Sequence, residues 1–333
     1  MIIGSAPTRV DLAGGTIDVW PVCFSLEAPA VTVNLAINLC AHVTVEETHD
    51  GVIHVRSEDR DEEVSLPVDA LTHDRLGLVT RHVAHFGAGD GLRIVTHSGV
   101  PPQSGLGGSS TLGVALAGAL GKLRGHAYTL RTIQDIETAL LRVPTGYQDY
   151  VPPLHGGCNV IEPTPGGLSI EPIAGAGTFL RRHLVLVDTS ISHHSGMNNW
   201  EVVKRFLDGD ADVVRGMNAI RACAAAMADA LRAGDLAATA EALRGEWSAR
   251  RHLAPVVSND RIESILGAAE GAGALAGKVC GAGGGGCLIL LAHDAQDEAI
   301  VRAVENAGGS VLAFEPDNDG LRVDYGPLNA PVE

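Results

Sequence analysis

Apolar and polar positions follow two rhythms along this chain. In the first half the two-residue rhythm dominates: Ala30–Asn38, Ala41–Thr48 and Gly51–Arg56 are rich in β-branched residues or alternate, and Asp50-Gly51 supplies hairpin turn chemistry. Leu71–Phe86 has helical spacing, Leu92–Thr96 reads as a strand entering a Gly/Pro-rich segment at 99–108, and Ser109–Leu123 reads as an Ala/Leu-rich helix. A helix over Tyr128–Arg142 ends near Pro144 and Gly146. Strands follow near 157–171, and Leu184–Asp188 reads as a short buried strand. Three helical stretches fill roughly 197–271, followed by strand 275–280, strand 287–292, helix 295–306 and strand 310–314. The acidic run Glu58–Glu63 reads as a solvated turn. These elements predict an α+β protein of two lobes, 1–175 and 176–333, divided in the loop that holds Gly175 and Gly177.

Length and charge narrow the picture. A chain of 333 residues exceeds what one core usually organises, which agrees with two lobes. With 24 Lys+Arg against 40 Asp+Glu the formal charge is −16, which argues against a nucleic-acid partner. A polyanionic ligand must then be held locally, by backbone N–H groups, a metal and a few arginines. The six cysteines form no C-x-x-C pair and read as reduced core residues, not as a disulfide frame or a zinc site. The start MIIGSAPTRVD has no signal-peptide pattern and no apolar stretch is long enough to cross a bilayer, so a cytoplasmic protein without membrane contact is expected, with homodimerisation left open.

Three glycine-rich segments carry the candidate chemistry. Pro101-Pro102-Gln103-Ser104-Gly105-Leu106-Gly107-Gly108-Ser109-Ser110-Thr111 lies between a strand and a helix. Free N–H groups and the positive end of the helix dipole suit that junction to a phosphate, and Ser109 and Ser110 are placed to cap the helix and to offer a hydroxyl to Mg²⁺. It is not a Walker A loop, because neither Gly121-Lys122 nor Gly277-Lys278 is followed by Ser or Thr. The second segment, Gly281–Gly286, contains a formal G-x-G-x-x-G, but Cys287–Ala292 continues as an apolar strand where a dinucleotide fold needs a helix. It therefore reads as a strand-to-strand loop. The third, Ala6–Val19, ends an N-terminal strand in a glycine turn bearing Arg9, Asp11 and Asp18; alone, it is more simply a hairpin with surface charges.

Taken in this order, the three segments resemble the motifs of the GHMP kinases, a superfamily that includes galactokinase, homoserine kinase, mevalonate kinase and phosphomevalonate kinase. The bacterial heptose 7-phosphate kinases are the nearest likeness. Gly146-Tyr147-Gln148-Asp149, Gly156-Gly157, and Glu246-Trp247 through Leu253 to Ser258-Asn259 add to it, as does Gly277-Lys278. The resemblance implies an N-terminal domain of ribosomal S5 domain 2-like fold, a ferredoxin-like C-terminal domain, and a site between them that uses ATP and Mg²⁺ to phosphorylate a hydroxyl of a sugar or sugar phosphate. It further implies that Pro102, Ser104, Gly105, Leu106, Gly107, Gly108, Ser109 and Ser110 hold the nucleotide phosphates, that Ser109 and Glu137 hold Mg²⁺, and that Asp149 is the catalytic aspartate. Gly15, Thr16, Asp18, Gly283 and Gly284 would face the substrate. Arg9 is the cation expected beside the transferring phosphoryl group, because it stays ionised and offers several donors.

Each assignment competes with a plainer one. Glu137 fits a solvated helix face, Asp149 a turn cap before Pro152-Pro153, Arg9 an ion pair with Asp11, and Trp247 interlobe packing in preference to adenine stacking. His193 and His194 sit in a loop and, being adjacent, do not suit one metal ion. Arg181, Arg182, Lys204, Arg250 and Arg251 are candidates for binding a substrate phosphate. Two departures from the resemblance bear on the acceptor: Gly108 stands where a serine is usual, and Tyr150-Val151-Pro152-Pro153 replaces a run of small residues after Asp149. The competing functions are a mevalonate-type alcohol kinase, a catalytically silent ligand sensor of the same fold, and a dinucleotide oxidoreductase built on Gly281–Gly286.

Overall fold

The computed structural model describes residues 1–71, 76–191 and 195–326. Its strands are β1 (Ile2–Ala13), β2 (Thr32–Glu47), β3 (Val52–Ser57), β4 (Glu62–Pro67), β5 (Leu92–Ser98), β6 (Cys158–Thr164), β7 (Gly167–Pro172), β8 (Leu184–Asp188), β9 (Ala276–Val279), β10 (Cys287–Leu291), β11 (Ser310–Leu312) and β12 (Arg322–Tyr325). The helices are α1 (Gly77–Phe86), α2 (Gly108–Arg124), α3 (Leu130–Leu141), α4 (Val151–His155), α5 (Ala176–His183), α6 (Ser195–Leu207), α7 (Ala211–Ala233), α8 (Leu236–Arg250), α9 (Asp260–Gly271) and α10 (Glu298–Asn306). An eight-stranded sheet runs β12-β1-β2-β5-β3-β4, with β6 on β2 and β7 on β6; among the described residues the β3–β5 pairing is parallel and its other pairings are antiparallel. A four-stranded antiparallel sheet runs β11-β8-β10-β9.

Periodicity and packing explain both what was legible and what was not. β8 and β10 are continuous apolar runs at the centre of the second sheet, as strands covered on both faces must be. β2 is one strand where the pattern suggests two. The interruption at Asn38-Leu39 is a bulge opposite Pro7 and Thr8, and Asn38 there exchanges hydrogen bonds with Glu315. Over 195–271 four α-helices replace the three expected, and part of the acidic run 58–63 begins the exposed edge strand β4. The helix expected from Leu71 begins at Gly77. One apolar core lies under α1, α2 and α3 on the first sheet, and another fills the face of the second sheet under α9 and α10. A third joins the lobes, packing Val10, Leu12, Val33 and Leu35 against Leu184, Met227, Cys280 and Ile289. Trp247 sits in the second of these, buried among C-terminal residues.

Candidate active site

The phosphate-loop candidate enters α2 through Gly107, whose φ of 76° is a left-handed conformation that glycine adopts without strain. Gly107 is the N-cap and no side chain caps the helix, contrary to the capping role expected of Ser109 and Ser110. Both serines lie inside the first turn, so their hydroxyls turn toward α3 while the first-turn N–H groups stay available to a ligand. Ser110 and Tyr150 each donate to Glu137 Oε2 at 2.7 Å. Burial pushes the Glu137 carboxyl pKa up, opposed by hydrogen bonds from Ser109, Ser110 and Tyr150. A buried carboxylate encircled by hydroxyls is not a solvated helix-face residue. Tyr150, one of the departures from the resemblance, thus orients the residue expected to hold the metal.

Arg9 leaves β1 beneath the same loop. Its backbone N–H donates to the Leu106 carbonyl at 3.1 Å, its guanidinium donates to the Gly105 carbonyl, and Nε donates to Asp149 Oδ1 at 3.0 Å, with Nη2 donating to the same oxygen. Burial opposes the charge on Arg9, yet the Asp149 and Asp11 carboxylates hold its pKa above the ordinary value. The Asp149 side chain is 25% exposed and that of Arg9 only 4%, so the aspartate reaches solvent while the cation is buried. Arg9 pairs with Asp149 and not with Asp11, and Asp149 belongs to a short 3-10 turn at Tyr147–Asp149 and does not serve only as a cap.

Gly15, Thr16 and Asp18, in the glycine turn, are all buried. Asp18 therefore presents no carboxylate to solvent. Its Oδ2 accepts from the Gln148 N–H at 2.8 Å, its Oδ1 has no partner, and a Cβ at Gly146 would strike the carboxylate at 2.4 Å. Burial pushes its pKa up to about 7. On the other side, Gly281–Gly286 is the β9–β10 hairpin loop, and no helix follows it, which removes the dinucleotide reading. It presses on the phosphate loop: a Cβ at Gly105 would sit 2.6 Å from the Cys280 carbonyl oxygen, and one at Gly286 2.5 Å from that of Ser104. Gly283 and Gly284 pack on Val257 and Asn259. Ser104 and Leu106 are buried and contribute backbone, while Pro102 and Ser109 are exposed at the rim.

A buried charge cluster escaped the sequence reading. Lys278 Nζ donates to Asp11 Oδ2 and Glu246 Oε1, each at 3.1 Å, and Arg250 donates to Glu246 Oε1 at 2.6 and 2.8 Å. Arg250 is thus sealed inside and holds no substrate phosphate. Lys204 pairs with Glu201 and Arg251 with Glu263, while Arg181 pairs with Glu315 and lines, with Arg182, a separate cavity of about 900 Å³ beside Gly156. His193 and His194 lie outside the described residues.

The sequence matches the profile described as GHMP kinases N terminal domain over 75–157 and that described as GHMP kinases C terminal over 227–310. The chain belongs to the GHMP kinases. It is a phosphotransferase acting on a hydroxyl group, with ATP as co-substrate. This GHMP kinase is 28% identical to the D-glycero-alpha-D-manno-heptose 7-phosphate kinase of Campylobacter jejuni over 95% of its own length and 96% of the relative's. Its fold superposes with a TM-score of 0.77 on the crystal structure of a D-glycero-D-manno-heptose 1-phosphate kinase from Bacteriodes thetaiotaomicron, at 25% identity over 98% and 99% of the two chains. Similarity to the mevalonate kinase of Thermococcus gammatolerans is higher, 41%, but confined to 68 residues and 20% of each chain. Among the described residues no helix is long and apolar enough to cross a membrane, and no group of three or more His, Cys, Asp and Glu side chains is arranged to hold a metal ion unaided.

Proposed function

We propose that this GHMP kinase transfers the γ-phosphate of ATP to a hydroxyl of a sugar phosphate of the heptose phosphate class, at a site between two units, 1–175 and 176–333. The observation that carries the reading is Asp149, partly exposed and fixed by Arg9, which is itself bonded to the phosphate loop through Gly105. Phosphoryl transfer asks chiefly for positioning and charge neutralisation. Arg9 ties the carboxylate that orients or deprotonates the acceptor hydroxyl to the loop that cradles the phosphates. The first-turn amides of α2 bind phosphate oxygens, as helix N-termini do.

The donor set of Glu137, Ser109 and Ser110 suits Mg²⁺, a hard cation commonly held by one or two carboxylates and substrate phosphates in place of an all-protein cage. When bound there, Mg²⁺ would neutralise phosphate charge. The assembled Arg9, Asp149, Glu137 and Ser110 speak against a silent sensor.

ADP release from Mg-ATP should be measured across hexoses, heptoses, their phosphates and mevalonate. Turnover with heptose phosphates supports the assignment; activity with mevalonate alone would replace it with the alcohol-kinase reading, and nucleotide binding without ADP with the sensor reading. Asp149→Ala should abolish transfer and leave nucleotide binding nearly intact.

A further inference from the structure

The buried cluster lies between the glycine turn of the first lobe and the hairpin loop of the second. Asp11, Glu246, Lys278 and Arg250 are all at most 1% exposed, and their two negative and two positive charges balance. Such a cluster is a weak source of net stability, because desolvation consumes most of the attraction. Its geometry does something more specific. Arg250, the last residue of α8, donates to the Gly15 carbonyl at 2.7 Å and to Thr16 Oγ1 at 3.3 Å, and the Gly281 carbonyl lies 3.5 Å from Nη1. Thr16 has a φ of 78°, a left-handed conformation that costs a β-branched residue energy and persists only where surroundings fix it. Its hydroxyl also donates to Asn199 at 2.9 Å. Two residues on, Asp18 accepts from the backbone of Gln148, and a Cβ at Gly15 would crowd the Gln148 amide. Gln148 precedes Asp149.

We propose that Arg250 is a positioning residue: its planar fork locks the Gly15–Asp18 turn and, through Gln148, sets Asp149 relative to the phosphate loop. A lysine has one point of donation and cannot span Gly15, Thr16 and Glu246 together. The kinetic part of the test rests on the sugar phosphate reading above; the structural part does not.

The test compares wild type, Arg250→Lys, and the double variant Glu246→Met/Arg250→Met, which removes one charge of each sign and leaves Lys278 paired with Asp11. The readouts are Tm, amide hydrogen exchange of residues 14–19, affinity for an ATP analogue, and kcat/KM for D-glycero-D-manno-heptose 7-phosphate. The double variant should keep its Tm within about 2 °C of wild type. Both variants should exchange amides 14–19 at least about tenfold faster and lose about tenfold or more in kcat/KM for the acceptor, with nucleotide affinity changed less than about twofold. A double variant with wild-type exchange and wild-type acceptor kinetics would overturn the proposal, leaving Arg250 as a charge balance only. If the double variant does not fold, Arg250→Lys decides by the same two readouts. If wild type does not turn over the heptose phosphate, the substrate reading fails, and exchange at 14–19 still decides whether Arg250 locks the turn.

Discussion

Asp18 offers a measurement in which the sign of the effect is as informative as its size. Its carboxyl is fully buried with one unpartnered oxygen, and its pKa stands at about 7 against an ordinary 3.8. A carboxyl with a raised native pKa keeps its proton in the folded state after the unfolded chain has lost it. Its contribution is therefore fully present below about pH 4 and is lost as pH rises toward about 7. Above that both states are ionised and the loss is complete, about 4 kcal/mol. Asp18→Asn carries no proton to lose, and its amide can still accept from Gln148. Between about pH 5 and pH 8 wild type should lose about 2.6 kcal/mol relative to the variant, all but about 0.4 kcal/mol of it by pH 7. At about 0.7 kcal/mol per kelvin for a chain of this length, that is about 4 °C in Tm. Thermal melts of both proteins in a constant-ionic-strength buffer series measure it. Any fixed offset from the substitution cancels, because only the pH dependence of the Tm difference is read. A difference that stays flat from about pH 5 to pH 8 would refute the raised pKa, and one that shrinks as pH rises would refute its direction.

Two further substitutions probe other parts of the site. Lys278→Met leaves Asp11 and Glu246 facing Arg250 alone in a sealed cluster, and should cost about 3–5 kcal/mol, a drop of roughly 4–7 °C in Tm; a loss under about 1 °C would mean the cluster is hydrated. Gly105→Ala puts a Cβ 2.6 Å from a backbone oxygen at a φ of 75°, so it should weaken nucleotide binding at least about tenfold by calorimetry, and unchanged affinity would remove this loop from phosphate binding.

Glycine and proline mark backbone geometry directly, which is why the loop at 101–111, the hairpin at 281–286 and the turn at 14–18 were legible before any coordinates. The charge cluster was not, because Lys278 and Asp11 stand 267 positions apart and Arg250 and Gly15 235. Glu246 and Arg250 stand four apart on one helix, a spacing at which side chains meet, but Arg250 was read as a candidate for a substrate phosphate. β4 was hidden by its exposed acidic start, and β12 by being four residues long with no buried face. Asp18 was legible as an acid near the site, but its burial follows from Gly146, and no local pattern connects the two.

The closing strand β12 pairs Arg322–Tyr325 with Ile2–Ser5, and just before it Asp317 bonds to Ala36 and Gly157. The edge of the first sheet is thus completed by a segment synthesised long after β1. At ribosomal speeds, β1 waits tens of seconds with that edge unpaired. An open β edge recruits other strands, so the nascent first lobe is the stage at which this kinase is most exposed to aggregation and to chaperones. For the same reason a fragment ending near residue 175 should be poorly soluble even though it holds the whole phosphate loop.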